Sequence, residues 1–304
     1  MGVIEVKSLY KSYGSTVALR GATFSIPKGV IAGLLGPNGS GKTTTLKILV
    51  GLLKKDRGEA RVFGLDPWEN SVEVKERVGI LHEKPLFPTD IKVCVLLRHL
   101  AKLKGYSESE VKRVARLTGL DRYLDYRVRS LSRGYLQRLG IAQALIGDPE
   151  LLLLDEPTAN LDPLARREIL RLIKVLKEDL GVTALISSHI IPELQEVCNY
   201  AVFIKNGVVA DYGDLEELSR KYSAESVYEV VLEKPRDLAS ELIKLDIIKG
   251  VEVEKEVLRI KVETKYLSEF NDILESLKTT YSIRKVRFTE ADLGDIYGKA
   301  VSSY

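Results

Sequence analysis

Gly36-Pro37-Asn38-Gly39-Ser40-Gly41-Lys42-Thr43 decides how the rest of this chain is read. The octapeptide satisfies G-x-x-x-x-G-K-[ST] at every fixed position, the pattern of a loop that cradles phosphate. Its surroundings agree. Residues 30–35 are a short apolar run that predicts a strand, and residues 42–53 place Leu46, Leu49 and Val50 at helical spacing. Gly36, Gly39 and Gly41 allow the backbone to bend until successive N–H groups point inward. A helix beginning near Lys42 adds its positive end. Lys42 supplies a point charge for the outer phosphates, and the Thr43 hydroxyl supplies an oxygen for Mg²⁺.

Downstream, residues 151–154 are four leucines with no polar alternation. That composition predicts a central parallel strand covered on both faces. It ends in Asp155-Glu156. The carboxyl ends of parallel strands face the ligand crevice, so the two acids are expected beside the phosphate loop. Asp155 is suited to hold Mg²⁺ through its water shell, because that ion takes few protein oxygens. Glu156 is placed to polarise a water for attack on a γ-phosphate.

Around these landmarks the pattern changes twice. Alternation at residues 4–6 and 22–26 predicts N-terminal strands, and residues 78–81 read as another. Residues 90–146 turn helical: Val93, Leu96, Leu97 and Leu100 share one face, and Val111, Val114, Ala115 and Thr118 share another. A helix over 166–180, a strand over 182–187, a helical turn or two over 192–198 and a strand over 200–204 follow, the last closed by an Asn206-Gly207 turn. Residues 214–226 are polar and charged and read as a domain boundary. Beyond it come a strand over 227–232, a helix over 235–245, strands over 251–254 and 257–262, a helix over 266–279 and a strand over 283–288. That order, βαββαβ, is the ferredoxin-like arrangement.

Charge and composition exclude other classes. The 46 basic and 43 acidic side chains leave a net charge of +3, spread along the chain, which argues against a nucleic-acid partner. Met1 to Leu9 lacks a basic stretch followed by an apolar core, so no signal peptide is expected. No run approaches the roughly 20 apolar residues that span a bilayer. A cytosolic location, or the cytosolic face of a membrane, is expected. Cys94 and Cys198 sit in apolar contexts with no CxxC partner and read as buried structural thiols.

The phosphate loop alone leaves many nucleotide hydrolases open. Leu131-Ser132-Arg133-Gly134-Tyr135-Leu136-Gln137-Arg138 narrows the choice, because it looks like the signature LSGGQxQR of the ABC-type ATPases, which residues 4–214 resemble. The resemblance implies that Ser132 and Gly134 face the γ-phosphate of ATP bound to a second subunit, while residues 36–44, Thr44 included, hold ATP within one subunit. It also implies that Tyr13 stacks on adenine and that Glu83, where the family usually has glutamine, touches Mg²⁺ and the membrane partner. Ala159-Asn160-Leu161-Asp162 matches the loop joining the two sites across the dimer. His189 matches the switch histidine that contacts the γ-phosphate or holds Glu156 and water. Arg133 and Tyr135 depart from the pattern, at a glycine and a glutamine.

The fold class that follows is α/β. It comprises a P-loop NTPase core of ABC type, with a mixed sheet, antiparallel N-terminal strands and a helical subdomain at 84–146. A small α+β ferredoxin-like βαββαβ domain comes after it. The expected domains are an ABC-type ATP-binding domain over 1–220 and an accessory domain over 221–304. Many ATP-binding subunits of two-component, exporter-like systems carry such a tail and end in an acidic-aromatic turn like residues 290–297. The resemblance therefore implies an ATPase using ATP and Mg²⁺, working as a homodimer against an integral membrane permease on a separate chain. The competing reading is a soluble ABC-type ATPase with a role outside transport. No coiled-coil insertion and no second phosphate loop favour it.

Overall fold

The computed structural model describes residues 2–222, 225–278, 280–289 and 293–302. Internal contacts divide the chain into two compact units, 1–214 together with 301–304, and 215–300.

The first unit opens with β1 (Ile4–Tyr13) and β2 (Thr16–Ile26), an antiparallel hairpin. Next are β3 (Ile31–Leu35), α1 (Lys42–Leu49), β4 (Arg57–Val62), α2 (Ser71–Arg77) and β5 (Val78–Leu81). Strand β4 pairs with β1, completing a three-stranded antiparallel sheet of order β2-β1-β4. Three helices follow: α3 (Val93–Leu103), α4 (Glu108–Thr118) and α5 (Arg133–Leu145). The chain then runs through β6 (Leu151–Asp155), α6 (Pro163–Leu180), β7 (Thr183–Ser188), the one-turn α7 (Ile191–Leu194), β8 (Tyr200–Lys205) and β9 (Val208–Asp214).

The larger sheet has the order β5-β6-β7-β3-β8-β9. All neighbours are parallel except β8 and β9, which form a hairpin through Asn206-Gly207. Every residue of β3, β6 and β7 is buried. That explains why the leucine run shows no alternation: both faces of a parallel sheet are covered. Leu151 and Leu153 join Leu34, Leu46, Leu49, Phe24 and Ile4 in one core between the two sheets. Leu152 and Leu154 are equally buried. Order matters for the chemistry, because β7 lies between β6 and β3 and so brings the ends of all three strands to one edge.

In the helical segment, Val93, Leu96 and Leu97 are buried on α3, and Val111, Val114, Ala115 and Thr118 on α4. Cys198 is buried, but Cys94 is only half-buried, because it lies beside the buried stripe of α3 and not on it. Among the described residues no helix is long and apolar enough to cross a membrane.

The second unit comprises α8 (Leu215–Tyr222), β10 (Glu225–Val231), α9 (Pro235–Leu242), β11 (Ile248–Glu254), β12 (Val257–Glu263), α10 (Leu267–Leu277), β13 (Lys285–Thr289) and α11 (Leu293–Ala300). Its strands form an antiparallel sheet of order β11-β12-β10-β13. Period-two alternation explains the core. Tyr228, Val230, Leu258, Ile260 and Val262 are buried with Leu238, Phe270 and Leu274. Glu229 on the opposite face pairs with Arg259. The polar stretch at 214–226 contains a helix, α8, which buries Leu215 and Leu218. Of the acidic-aromatic turn, Glu290, Ala291 and Asp292 lie outside the described residues, and Leu293 onward is α11.

Candidate active site

The octapeptide connects β3 to α1 along the edge where β6 and β7 also end. Two glycines are required there for separate reasons. A Cβ on Gly36 would stand 2.1 Å from the Ile204 carbonyl oxygen, closer than any real contact. Gly41, the residue before α1, has φ of 105°, a left-handed value that side chains rarely adopt. The loop so formed borders an open cleft of about 740 Å³. Asn38, Gly39, Gly41, Lys42, Thr43 and Thr44 line it, as do Glu83, Glu156, Asn160, Arg166 and His189. Pro37 is exposed, whereas Gly36 and Ser40 are buried beneath the loop. The Ser40 hydroxyl has no hydrogen-bond partner among the described residues.

Lys42 is buried and braces the loop from inside. Its ammonium donates to the carbonyl oxygens of Gly36 at 2.8 Å and Pro37 at 3.1 Å. It also lies 3.3 Å from Glu156 Oε1. The other oxygen, Oε2, is 2.8 Å from Nδ1 of His189. Glu156 is thus a buried carboxylate held between a cation and an imidazole. Its φ is 47°, an uncommon value for a residue other than glycine. Such backbone strain persists only where the surroundings over-determine it, and functional sites are where it gathers.

Ser187 supplies that over-determination. Its hydroxyl accepts from the Glu156 N–H at 2.9 Å and donates to Asp155 Oδ1 at 2.7 Å. The Thr43 hydroxyl donates to the same Asp155 oxygen at 3.1 Å. In the sequence Ser187 is only the last residue of a predicted strand. Its bridging role depends on β7 lying between β6 and β3, which no local pattern announces. Arg166 was likewise unforeseen, because it reads as one more polar residue of a helix.

The remaining expected residues fall in two places. Tyr13 ends β1 and is half-exposed, with Lys11 Nζ 5.8 Å from its ring centroid. It does not line the cleft, but it pairs in register with Thr16, and Thr16, Val17 and Ala18 form that wall. Ser132, Gly134 and Asp162 border a separate cavity of about 150 Å³. Ser132 caps α5, its Oγ accepting from the Tyr135 N–H at 3.4 Å. Asp162 caps α6, accepting from the N–H groups of Leu164 and Ala165. The signature residues and the phosphate loop of one chain therefore do not share a cavity, but Asn160 borders both.

The donor set suits a hard cation. Thr43 and Asp155 offer adjacent oxygens, and Glu83 lines the same cleft. Among the described residues no group of three or more His, Cys, Asp or Glu side chains could hold a metal by itself. Mg²⁺ binds through one or two carboxylates and leaves the rest of its shell to water and phosphate, so the Thr43 and Asp155 oxygens fit it.

A family model described as "ABC transporter" matches residues 19–159. The bacitracin transport ATP-binding protein BcrA of Bacillus licheniformis is 36% identical over 224 residues, 72% of this chain and 73% of that protein. The Nod factor export ATP-binding protein I of Cupriavidus pinatubonensis is 35% identical over 209 residues, 67% of this chain and 64% of that protein. A solved structure of the ATP binding subunit of an ABC transporter superposes with a TM-score of 0.64 at 29% identity, covering 72% of this chain and 93% of that one.

Proposed function

This chain belongs to the ABC transporter family as an ATP-binding, ATP-hydrolysing subunit, and from that premise we propose which residues perform the hydrolysis and what the chain energises. The observation that carries the proposal is the convergence of Lys42, Thr43, Glu156 and His189 on one cleft, with Asp155 buried behind Thr43 and bonded to it.

In this reading residues 36–44 wrap the phosphates with backbone N–H groups, and the start of α1 adds its positive end. Lys42 exchanges its carbonyl and Glu156 contacts for β- and γ-phosphate oxygens. Glu156, released from Lys42, turns one oxygen to the attacking water and accepts its proton, while His189 holds the other. Ser187 fixes the backbone at Glu156 throughout. Thr43 and Asp155, with Glu83 beside them, would hold Mg²⁺, which offsets negative charge on the phosphates. Phosphoryl transfer asks little more of a protein than positioning and charge stabilisation, and these groups supply both. Tyr13 extends the Thr16–Ala18 wall toward the base.

Ser132 and Gly134 complete the site of a second copy, so two chains enclose two ATP molecules and Asp162 lies near the junction. The separation of the two cavities within one chain supports this. The dimer works on the cytosolic face of a membrane against a permease on another chain, and the names of the relatives favour export. A direct test is light scattering of the purified Glu156→Gln variant. A monomer without nucleotide and a dimer with ATP are expected. A monomer in both conditions rejects the two-chain site.

The ATPase domain is read as 1–220, with 221–304 as an accessory domain. Helix α8 bears on where to cut, because Leu215 and Leu218 are buried within the second unit. A chain ending at Asp214 exposes neither and is expected to fold and bind ATP. It loses the hydrogen bond from Lys205 Nζ to the Val301 carbonyl and the burial of Val301, together worth about 2 kcal/mol. A melting temperature lower by a few degrees, with nucleotide affinity unchanged, is the expected result. Loss of ATP binding would place the tail inside the core.

A further inference from the structure

We propose that Arg166 is a positioning residue that ties the 159–162 loop to the segment bearing His189, so that movement of that loop reaches the catalytic carboxylate. The proposal rests on the reading of Glu156 and His189 given above.

The geometry is that of a clasp. Arg166 stands on the first turn of α6, just after the loop, and its backbone N–H bonds the Asp162 carbonyl at 3.0 Å. Its side chain then does two things at once. Nε donates to the Leu161 carbonyl at 2.8 Å, and one terminal nitrogen donates to Glu193 Oε1 at 2.5 Å. Both nitrogens belong to one planar guanidinium, so loop and partner are held at a fixed angle, which a lysine ammonium does not impose. Glu193 belongs to α7, a single turn that begins two residues after His189. Between them, the Ile190 N–H bonds the Ser188 hydroxyl at 2.9 Å. His189 in turn meets Glu156 Oε2 at 2.8 Å.

A one-turn helix has little stability of its own. Its place is set by what it is tied to. Glu193 is held through Oε1, because its Oε2 is buried with no hydrogen-bond partner among the described residues. Arg166 is therefore the group that seats this carboxylate. Arg166 also borders the nucleotide cleft, and Asn160, inside the loop, has φ of 59°. A shift of the 159–162 loop pulls Leu161 and Glu193 together through one rigid group, and the displacement arrives at His189.

The experiment uses the full chain and compares wild type with Arg166→Met, Glu193→Gln and the double variant, alongside Glu156→Gln. It measures ATP hydrolysis against ATP concentration, affinity for a fluorescent ATP analogue, and thermal melting. Misplacing a catalytic group by a fraction of an ångström is enough for about a tenfold loss of kcat in Arg166→Met. KM and analogue affinity should stay within about twofold, since a positioning group acts on turnover and not on uniform binding. The double variant should lose no more than Arg166→Met alone, because both residues act through one contact. Unchanged kcat in Arg166→Met, losses that multiply in the double variant, or a KM that rises in step with the fall in kcat each overturn the proposal. Arg166→Met leaves Glu193 without its cation and can melt early. The double variant removes both charges, and wild-type kcat there is equally fatal. Glu156→Gln separates this proposal from the reading beneath it: turnover surviving in Glu156→Gln sinks the assignment of Glu156. Turnover lost there but intact in Arg166→Met sinks only the role of Arg166.

Discussion

Glu156→Gln is expected to lower ATP turnover by at least about 10²-fold while nucleotide binding persists, the scale on which a positioned general base contributes. The substitution keeps shape and keeps one oxygen, so the contact with His189 at Oε2 and the backbone bond to Ser187 can survive. What is lost is the negative charge proposed to take a proton from water. The second consequence is less obvious. Glu156 Oε1 lies 3.3 Å from Lys42 Nζ, and both groups are buried. Removing the carboxylate charge releases Lys42 from that pairing and leaves it freer for phosphate oxygens. Affinity for ATP should therefore hold or rise, although turnover collapses. Phosphate release and titration of a fluorescent ATP analogue measure the two quantities separately. Turnover within about threefold of wild type would show that another group activates the water.

How far this site was legible depends on the kind of signal involved. The phosphate loop and Asp155-Glu156 carry their meaning in local sequence, because a Gly-rich turn and a carboxylate at a strand end are short-range features. The tail was legible for a similar reason: its strands alternate, with Tyr228 and Val230 in and Glu229 out. Strand β4 was missed because only Ala60 and Val62 of its six residues are buried, so no apolar run marks it. Its existence rests on pairing with β1, about fifty residues earlier in the chain. Helix α8 falls in the stretch that reads as a domain boundary, because two buried leucines among charged residues are too few to mark a helix by periodicity. Ser187 and Arg166 were hidden for a third reason. Their partners, Asp155, Leu161 and Glu193, are set by sheet order and by the packing of α6 against a later segment. The candidate residues could be read from their types. The scaffold that aims it could not.

Lys42→Ala is expected to fail in the opposite sense, losing nucleotide affinity and not merely turnover. Charge-assisted hydrogen bonds are worth about 1.5–3 kcal/mol each, so losing the ammonium from the outer phosphates should weaken ATP binding by about 10²-fold or more. Two further effects act on the protein itself. The Gly36 and Pro37 carbonyls lose the donor that braces the loop. Glu156 also loses its cation while buried, and breaking a buried ion pair by removing one partner costs about 3–5 kcal/mol. Lower affinity could then reflect a damaged fold. The double variant Lys42→Ala with Glu156→Gln distinguishes the causes. With no buried carboxylate left unpaired, its stability in denaturant should return most of the way to that of Glu156→Gln. Its affinity for ATP should not return, because nothing replaces the charge facing the phosphates. Recovery of both would mean that Lys42 serves the fold alone. Recovery of stability without affinity is what a lysine that is both the brace of the empty loop and the cation of the filled one requires.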